Sequence, residues 1–403
     1  MNREYKKVVI TKKGENKVLK NHPWIFEGEI IKNDEITNGE IVDVLNEKEK
    51  YLGSGFYNNN SKITIRLLSR NTNDYYDKEF FKRRIKYAWD YRKTTMPDDL
   101  NCIRVIFGEA DGLPGFTVDK FNDILVVQIL SLGIDLRKND ILNALYEVLT
   151  EDNVTIAGVY ERNDVKIRNL EGLEESTGWF DIGKGYPNST KTQIIENEIK
   201  YIVDFKEGQK TGYFLDQKYN RKAIKNIAKN RNVLDCCTHT GSFAMNAYKG
   251  GAKKVTALDV SEKAINDSKE NFKLNNMNID TVCADLFIYL RELNKTKEKK
   301  YDFIILDPPA FTKSRKTINS ALKGYQEINF LAMKTLPRGG YLATASCSHF
   351  ASEEMFLEAI FKASLEAQVS LKLISSSGPS PDHPQLLGVE ETKYLKFFIF
   401  QVV

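Results

Sequence analysis

The second half of the chain alternates short apolar runs with longer segments whose apolar residues recur at helical spacing. Apolar runs bounded by turn residues are typical of strands in a sheet, and amphipathic segments between them are typical of the covering helices. This alternation predicts an α/β fold with a doubly wound, Rossmann-like sheet. The predicted strands are NVLDCC (232–237), KVTALDV (254–260), TVCAD (281–285), FIILD (303–307), GYLATAS (340–346), VSLKLIS (369–375) and YLKFFIFQ (394–401).

The first part of the chain, from about residue 5 to 72, has short alternating or apolar runs separated by glycine and asparagine turns. Such runs predict strands of a small β-barrel. Because small barrels need large side chains to fill them, we expect Trp24 and Phe26 to anchor the barrel core.

The region between these two parts combines helix and strand patterns. From Asp77 to about Arg92 the apolar residues fall on one helical face, and a second helix is predicted from about Leu136 to Leu149. Together with the intervening strands they predict a central α/β domain. A linker rich in Gly, Ser and Thr is expected between Thr177 and Thr192. The predicted domains are 1–74, 75–188 and 189–403.

Composition narrows the class of protein only slightly. The chain has 403 residues, 41% of them hydrophobic, and a net charge of +4 that is too small to indicate nucleic acid by itself. Of the local basic clusters, only Lys313, Arg315 and Lys316 adjoin the predicted reaction centre. Five irregularly spaced cysteines favour a reducing compartment. No apolar run reaches the length of a membrane span, so we expect a cytoplasmic protein that does not enter a membrane.

The turn after the first strand of the doubly wound sheet is the expected ligand site, because ligands bind at the carboxyl ends of such strands. Gly241 allows a close backbone approach, and amides near Ser242 and Phe243 at the following helix start can meet a carboxylate. Thr238 and Thr240 lie in the same turn. A single glycine suits a nucleoside better than a dinucleotide, which needs a richer glycine motif.

Aspartates occupy the ends of three successive predicted strands. Asp259 can accept hydrogen bonds from both hydroxyls of a ribose, and Asp285 is placed to bond an adenine amino group. With Asp235 they suit a cofactor that carries a cationic sulfonium and an ammonium. These residues together predict a site for a nucleoside cofactor.

The segment DPPAF (307–311) closes the fourth strand, and its two prolines predict a rigid turn that presents Asp307 to a flat, amine-bearing base. Cys347 ends the next strand and is therefore expected beside Asp307. A thiolate that adds to carbon 6 of cytosine makes carbon 5 able to attack a methyl group. Asp307 and Cys347 are thus the predicted catalytic pair, with a buried hydrophobic role for Cys347 as the alternative.

Histidines and cysteines show no metal-ligand spacing, so no metal is predicted. His239 lies in the cofactor turn and His349 two residues after Cys347. The sequence leaves the roles of both histidines open.

With these residues in view, the chain resembles the bacterial 23S rRNA cytosine-C5 methyltransferase family that carries an N-terminal PUA domain. The resemblance implies S-adenosylmethionine as methyl donor, a PUA-like module that binds RNA, Cys347 as nucleophile, and Gln217 as a residue that closes over the cofactor. It spans nearly the whole chain and rests on NHPWIF (21–26), EADGLPGFTVDKF (109–121), VYERNDVKIRNLEGL (159–173), GQKTGYFLDQKYNR (208–221), the cofactor turn, DPPAF, SCS (346–348) and DHP (382–384).

Two other functions remain open from the sequence. An Asp-Pro-Pro turn can hold an exocyclic amine without any thiol, which would give an RNA methyltransferase acting on guanine N2 or adenine N6. A non-catalytic RNA-binding assembly factor is the third hypothesis, since PUA-like barrels bind without catalysis. The expected partner is RNA, specifically 23S rRNA, and the oligomeric state, a homodimer included, is open.

Overall fold

The computed structural model describes residues 5–296, 299–312 and 314–403, except for the side chain of Arg315. Lys313, which the sequence places in a basic cluster, lies outside the described residues. The chain divides into two compact units. The first comprises Met1–Ile194, Val203–Leu215 and Pro381–Thr392, and the second comprises Ile195–Ile202, Asp216–Ser380 and Lys393–Val403.

The first unit begins with a mixed sheet whose strand order is β2-β6-β5-β4-β1-β3. Its hydrophobic core includes Ile10, Ile25 and Val44, all fully buried. The elements are β1 (Lys6–Ile10), α1 (Lys12–Leu19), β2 (Trp24–Ile25), β3 (Ile30–Asn33), β4 (Ile41–Leu45), β5 (Tyr51–Tyr57) and β6 (Ile65–Ser69).

The barrel core corrects one expectation. Trp24 and Phe26 are only partly buried, whereas Ile25 between them is fully buried. Trp24 Nε1 donates a hydrogen bond to Glu109 Oε1 at 2.9 Å, and the Lys17 ammonium lies 4.4 Å from the centre of the Phe26 ring. In a two-residue strand, alternate side chains point to opposite faces, so Ile25 takes the core position that the large aromatics were expected to fill.

A second sheet of the first unit has the order β11-β10-β9-β8-β7. The predicted linker from Thr177 was placed too early, because Thr177 to Phe180 pair with β10. The elements are α2 (Lys78–Thr95), β7 (Cys102–Phe107), β8 (Phe116–Phe121), β9 (Ile124–Ile129), α3 (Leu132–Asp135), α4 (Lys138–Glu151), β10 (Gly158–Asn163) and β11 (Ser176–Phe180). A hairpin of β12 (Lys191–Glu196) and β13 (Ile199–Asp204) follows.

The second unit is built on a sheet with the order β16-β15-β14-β17-β18-β20-β19, which confirms the predicted Rossmann-like α/β fold. Strands β14 to β18 run parallel, and β20 runs antiparallel to β18 and β19. The elements are α5 (Lys218–Ala223), α6 (Lys225–Ala228), β14 (Asn232–Cys236), α7 (Ser242–Lys249), β15 (Lys254–Asp259), α8 (Glu262–Leu274), β16 (Asp280–Cys283), α9 (Leu286–Thr296), β17 (Phe303–Leu306), α10 (Ile318–Thr335), β18 (Tyr341–Ser346), α11 (Glu353–Ala367), β19 (Leu371–Ser377) and β20 (Lys396–Val402).

The strand order reverses between β14 and β17. The carboxyl ends of the parallel strands on both sides of this point lie at the same edge of the sheet. In such sheets a crevice forms at this edge. The turns after β14, β15, β16, β17 and β18 therefore meet at this edge. All of them belong to the second unit.

Candidate active site

The turn between β14 and α7 follows a backbone course that few residues tolerate. Cys237, His239 and Gly241 have φ values of 60°, 50° and 80°. A Cβ atom at Gly241 would lie 2.4 Å from Cε1 of Phe272 in α8. The packing of α8 behind the turn thus gives a second reason for this glycine, beside the predicted approach of a ligand.

Asp235 anchors this turn from inside the sheet. Its Oδ2 accepts hydrogen bonds from Thr238 Oγ1 at 2.5 Å and from the Ala244 amide at 2.9 Å. Its Oδ1 has no hydrogen-bond partner within the part of the chain that the structure describes. Burial raises the pKa of Asp235 to about 7, and the charges of Asp307 and Asp259 act in the same direction. The carboxylate is therefore a buried acceptor that one cationic group could satisfy.

Asp259 fixes the other side of the turn. Its Oδ2 accepts from the His239 amide at 3.0 Å, and its Oδ1 accepts from the Ser261 amide at 2.9 Å. Burial lowers the pKa of the His239 imidazole. A neutral ring at this position leaves Asp259 as the negatively charged group at the rim of the turn.

The remaining predicted residues of the turn face the protein interior. Ser242 is buried and its carbonyl accepts from Asn246. The Phe243 ring stacks on Phe397 with a centroid distance of 5.8 Å. Thr240 Oγ1 is buried without a hydrogen-bond partner among the described residues. The backbone amides of Ser242 and Phe243 at the start of α7 are the groups that the sequence predicts to meet a ligand.

Asp285 follows β16 and begins α9. Its Oδ1 accepts from the Ile288 amide at 3.0 Å, so the carboxylate caps the helix. Two apolar side chains at the same edge are unusually exposed, Val260 by 70% and Ile288 by 59%. An exposed apolar pair beside two carboxylates is a surface suited to a flat ring with polar edges.

Asp307, at the end of β17, is held by a chain of polar side chains. Gln217 Nε2 donates to Asp307 Oδ1 at 3.0 Å, and Gln217 Oε1 accepts from Asn220 Nδ2 at 2.6 Å. Ser377 Oγ donates to Asn220 Oδ1 at 2.8 Å. Because Asn220 donates to the Gln217 oxygen, the Gln217 amide must present its nitrogen to Asp307.

Cys347 directly follows β18, the strand next to β17, so the strand order places it at the same edge as Asp307. It is partly buried and has no disulfide. The preceding residue, Ser346, donates from Oγ to Tyr325 OH at 3.0 Å. Burial raises the pKa of Tyr325 to about 12, so its hydroxyl stays protonated at neutral pH. The structure thus places Asp307 and Cys347 after the ends of neighbouring strands.

The other cysteines and histidines are placed differently. Burial raises the pKa of the Cys236 and Cys237 thiols far above the ordinary value, which makes them poor nucleophiles. The His349 ring lies 5.4 Å from the Tyr394 ring. In the first unit, His383 Nδ1 lies 2.8 Å from Asp382 Oδ1. Across the described residues, no group of three or more His, Cys, Asp or Glu side chains could hold a metal ion.

Phe311 of the DPPAF segment packs in the core. Its ring centre lies 4.6 Å from that of Tyr325 and 6.3 Å from that of Phe287. These ring contacts pack Phe311 against the hydrophobic core.

Sequence reasoning missed Asn220 and the pair Val260 and Ile288. Asn220 lies within the 208–221 segment, three residues after Gln217, but only folding brings it to Ser377. Val260 directly follows Asp259 and could have been noticed, because an apolar residue after a strand-ending carboxylate has no reason to be exposed in a plain turn.

Comparison with known proteins identifies two matching families. Residues 8–70 match the PUA-like domain family, and residues 116–398 match the S-adenosylmethionine-dependent methyltransferase family. The chain is 34% identical over 404 residues to the ribosomal RNA large subunit methyltransferase I of Klebsiella pneumoniae (strain 342), covering 99% of each chain. The same enzyme of Escherichia coli (strain SMS-3-5 / SECEC) is 34% identical over 402 residues, covering 98% of this chain and 99% of the relative.

Solved structures support the same architecture. A Streptococcus mutans protein proposed to be a SAM-dependent methyltransferase superposes with a TM-score of 0.82 at 21% identity, covering 98% of this chain and 100% of that one. A proposed methyltransferase in complex with SAH has a TM-score of 0.83 at 21% identity, with the same coverage. These likenesses show the fold. Within the described residues, no helix is both long and apolar enough to cross a membrane.

Proposed function

The chain belongs to the S-adenosylmethionine-dependent methyltransferases, in the family of ribosomal RNA large subunit methyltransferase I, and from this membership we propose that it methylates carbon 5 of a cytosine in 23S rRNA. The observation that carries the proposal is the position of Cys347 at the end of β18, next to the strand that ends at Asp307. Its relatives are named as ribosomal RNA methyltransferases, and its PUA-like domain (8–70) is the proposed RNA-binding module. We also propose that the chain has three domains, 1–74, 75–188 and 189–403.

The residues at the sheet edge suit S-adenosylmethionine, the cofactor of the family. The buried Asp235 Oδ1 lacks a partner among the described residues and would accept from, or lie close to, the cationic amino-acid end. Asp259 would accept from the ribose hydroxyls, and the exposed side chains of Val260 and Ile288 would cover the adenine. Asp285 would hold the adenine amino group with the oxygen that does not cap α9. When bound, the cofactor supplies an electrophilic methyl group on a positively charged sulfur.

Cys347 would act as the nucleophile. Its thiolate adds to carbon 6 of the cytosine, so that the Sγ–C6 bond forms and the C5=C6 electron pair becomes available at carbon 5. Carbon 5 would then take the methyl group, and the bond from that methyl group to the donor sulfur would break with its electron pair left on sulfur. Loss of the carbon 5 proton restores the C5=C6 bond, and the C6–Sγ bond breaks to return the thiolate.

Asp307 would hold the base for this addition. The Gln217 amide donates to its Oδ1, and the carboxyl group would meet the N3 and amino edge of the cytosine. An acid on that edge stabilises the negative charge that builds up in the ring when the thiolate adds. A base inside duplex RNA must leave its stack to reach such a site.

The alternative reaction, in which the Asp-Pro-Pro turn holds an exocyclic amine for methylation, needs no thiol. Cys347, partly buried at the end of the strand next to that of Asp307, has no task in that reaction, and this favours the cytosine reaction. A non-catalytic binding protein would need neither residue.

The test is nucleoside mass spectrometry of 23S rRNA transcripts incubated with the purified protein and methyl-labelled S-adenosylmethionine. The proposal expects label in 5-methylcytidine. Label in N2-methylguanosine or N6-methyladenosine would replace it with the amine reaction. Tight RNA binding without any transfer of label would support the assembly-factor hypothesis.

A further inference from the structure

Lys396, the first residue of β20, is a buried lysine whose ammonium group contacts backbone carbonyls. Only 5% of it is exposed. Its Nζ donates hydrogen bonds to the carbonyls of Ser348 at 2.6 Å, Ala351 at 2.6 Å and Tyr394 at 3.1 Å. Three carbonyls match the three donors of an ammonium group, so the charged form is solvated by backbone oxygens in place of water.

The ammonium holds the segment that contains Cys347. Strand β20 pairs antiparallel with β18 so that Lys396 lies opposite Ser346. Cys347 follows Ser346, and the first carbonyl acceptor belongs to Ser348. The lysine thus spans the loop from residue 346 to 351 and fixes its course after the strand ends.

The charged and titratable groups around this loop come from several elements. Tyr325 of α10 contacts Ser346 and has a pKa raised to about 12 by burial. Asp307 lies at the end of the neighbouring strand, and Glu353 begins α11. The His349 ring of the loop lies 5.4 Å from the Tyr394 ring. Tyr394 OH donates a hydrogen bond to Asp216 Oδ2 at 2.7 Å.

Lys396 is the cation among these groups, and its charge interacts with Cys347. Burial lowers its pKa to about 8, while the Cys347 and Glu353 charges act in the opposite direction. At pH 7 the ammonium is therefore mostly protonated. An opposite charge near a thiol favours the thiolate.

We propose that Lys396 is a positioning residue for the reaction, which fixes the Cys347 loop through three carbonyls and holds the Cys347 thiol in its ionised form. The inference rests on the proposed role of Cys347 as nucleophile. The titrations of the Cys347 thiol and the Lys396 ammonium are coupled, so each apparent pKa value describes the pair and not one residue. Loss of the Lys396 charge would remove this attraction, which favours the neutral thiol.

The test measures the ionisation of Cys347 without RNA or turnover. The purified protein is alkylated with iodoacetamide across a pH series, and the adduct on Cys347 is quantified by peptide mass spectrometry. We expect an apparent pKa below the ordinary thiol value of about 8.5. In Lys396→Met we expect the apparent pKa to rise by roughly one unit and the alkylation rate at pH 7 to fall about tenfold. Lys396→Arg, which keeps the charge, should recover part of the shift.

Controls separate a local from a general effect. Lys362→Met removes an exposed lysine that pairs with Glu358, and it should leave the Cys347 profile unchanged. The exposed Cys283 serves as the internal reference in every variant, and thermal melting checks the fold.

Two results would overturn the inference. One is an apparent pKa of the wild-type Cys347 at or above about 8.5, which decides the matter even where Lys396→Met does not fold. The other is an unchanged profile in folded Lys396→Met. A lowered Cys347 pKa that depends on Lys396, in a protein that makes no 5-methylcytidine, would keep the electrostatic inference and reject the proposed function.

Discussion

Gln217 Nε2 donates a hydrogen bond to Asp307 Oδ1 at 3.0 Å, although 90 residues separate the two in sequence. The resemblance assigned Gln217 to the cofactor, and the structure links it in addition to the residue proposed to hold the base. Asn220 orients the Gln217 amide for this bond. The Gln217 side chain thus lies where the proposed cofactor and base sites would meet.

Gln217→Ala should reduce kcat/KM by roughly ten- to a hundredfold, because a hydrogen bond to a charged group contributes about 1.5–3 kcal/mol. Gln217→Glu should cost more, since it places a second carboxylate against Asp307. Steady-state methyl transfer measures both effects. The matched control is Gln326→Ala, which removes an exposed glutamine bonded to Glu366. Equal activity of Gln217→Ala and wild type would reject the role of this bond.

Asp235→Asn should make the free protein more stable at pH 8. The folded pKa of Asp235, about 7, lies above the ordinary aspartate value of 3.8, so between about pH 4 and pH 7 the folded state keeps a proton that the unfolded chain has lost. The free energy of unfolding therefore falls as pH rises through this window. Asparagine lacks this penalty, which is on the order of 4 kcal/mol.

Melting curves at pH 5 and pH 8 measure the effect. The stability gain of Asp235→Asn should be larger at pH 8, while calorimetric titration should show weaker binding of S-adenosylmethionine, since no negative charge meets its ammonium group. Asp280→Asn, at an exposed aspartate paired with Lys254, is the control. A gain that does not change with pH would contradict the ionisation of a buried Asp235.

Asp285 has a structural task that can be separated from the proposed contact with adenine. Asp285→Ala should lower stability by about 1 kcal/mol, because α9 loses its cap. Asp285→Ser should keep the cap and the stability but lose the carboxylate. If Asp285 binds the adenine amino group, both variants bind S-adenosylmethionine more weakly by about tenfold. Normal binding by Asp285→Ser would restrict the residue to capping.

The sheet and its motif turns could be predicted because strand ends carry local signals: Asp235, Asp259 and Asp307 each close an apolar run. The positions that escaped prediction depend on long-range contacts. Lys396 is one residue in an apolar strand pattern, and only the pairing of β20 with β18 brings it to the Cys347 loop. Trp24 was assigned by size alone, while the strand register gives the barrel core to Ile25.

The most direct test of the central claim uses RNA in which cytidine is replaced by 5-fluorocytidine. Fluorine at carbon 5 leaves no proton to remove after methyl transfer, so the C6–Sγ bond cannot break and the protein stays attached to the RNA. With S-adenosylmethionine, the wild-type protein should form an adduct that survives denaturing electrophoresis and maps to Cys347, and Cys347→Ala should form none. Active wild-type protein that forms no adduct, or an adduct of equal yield in Cys347→Ala, would contradict Cys347 as the nucleophile.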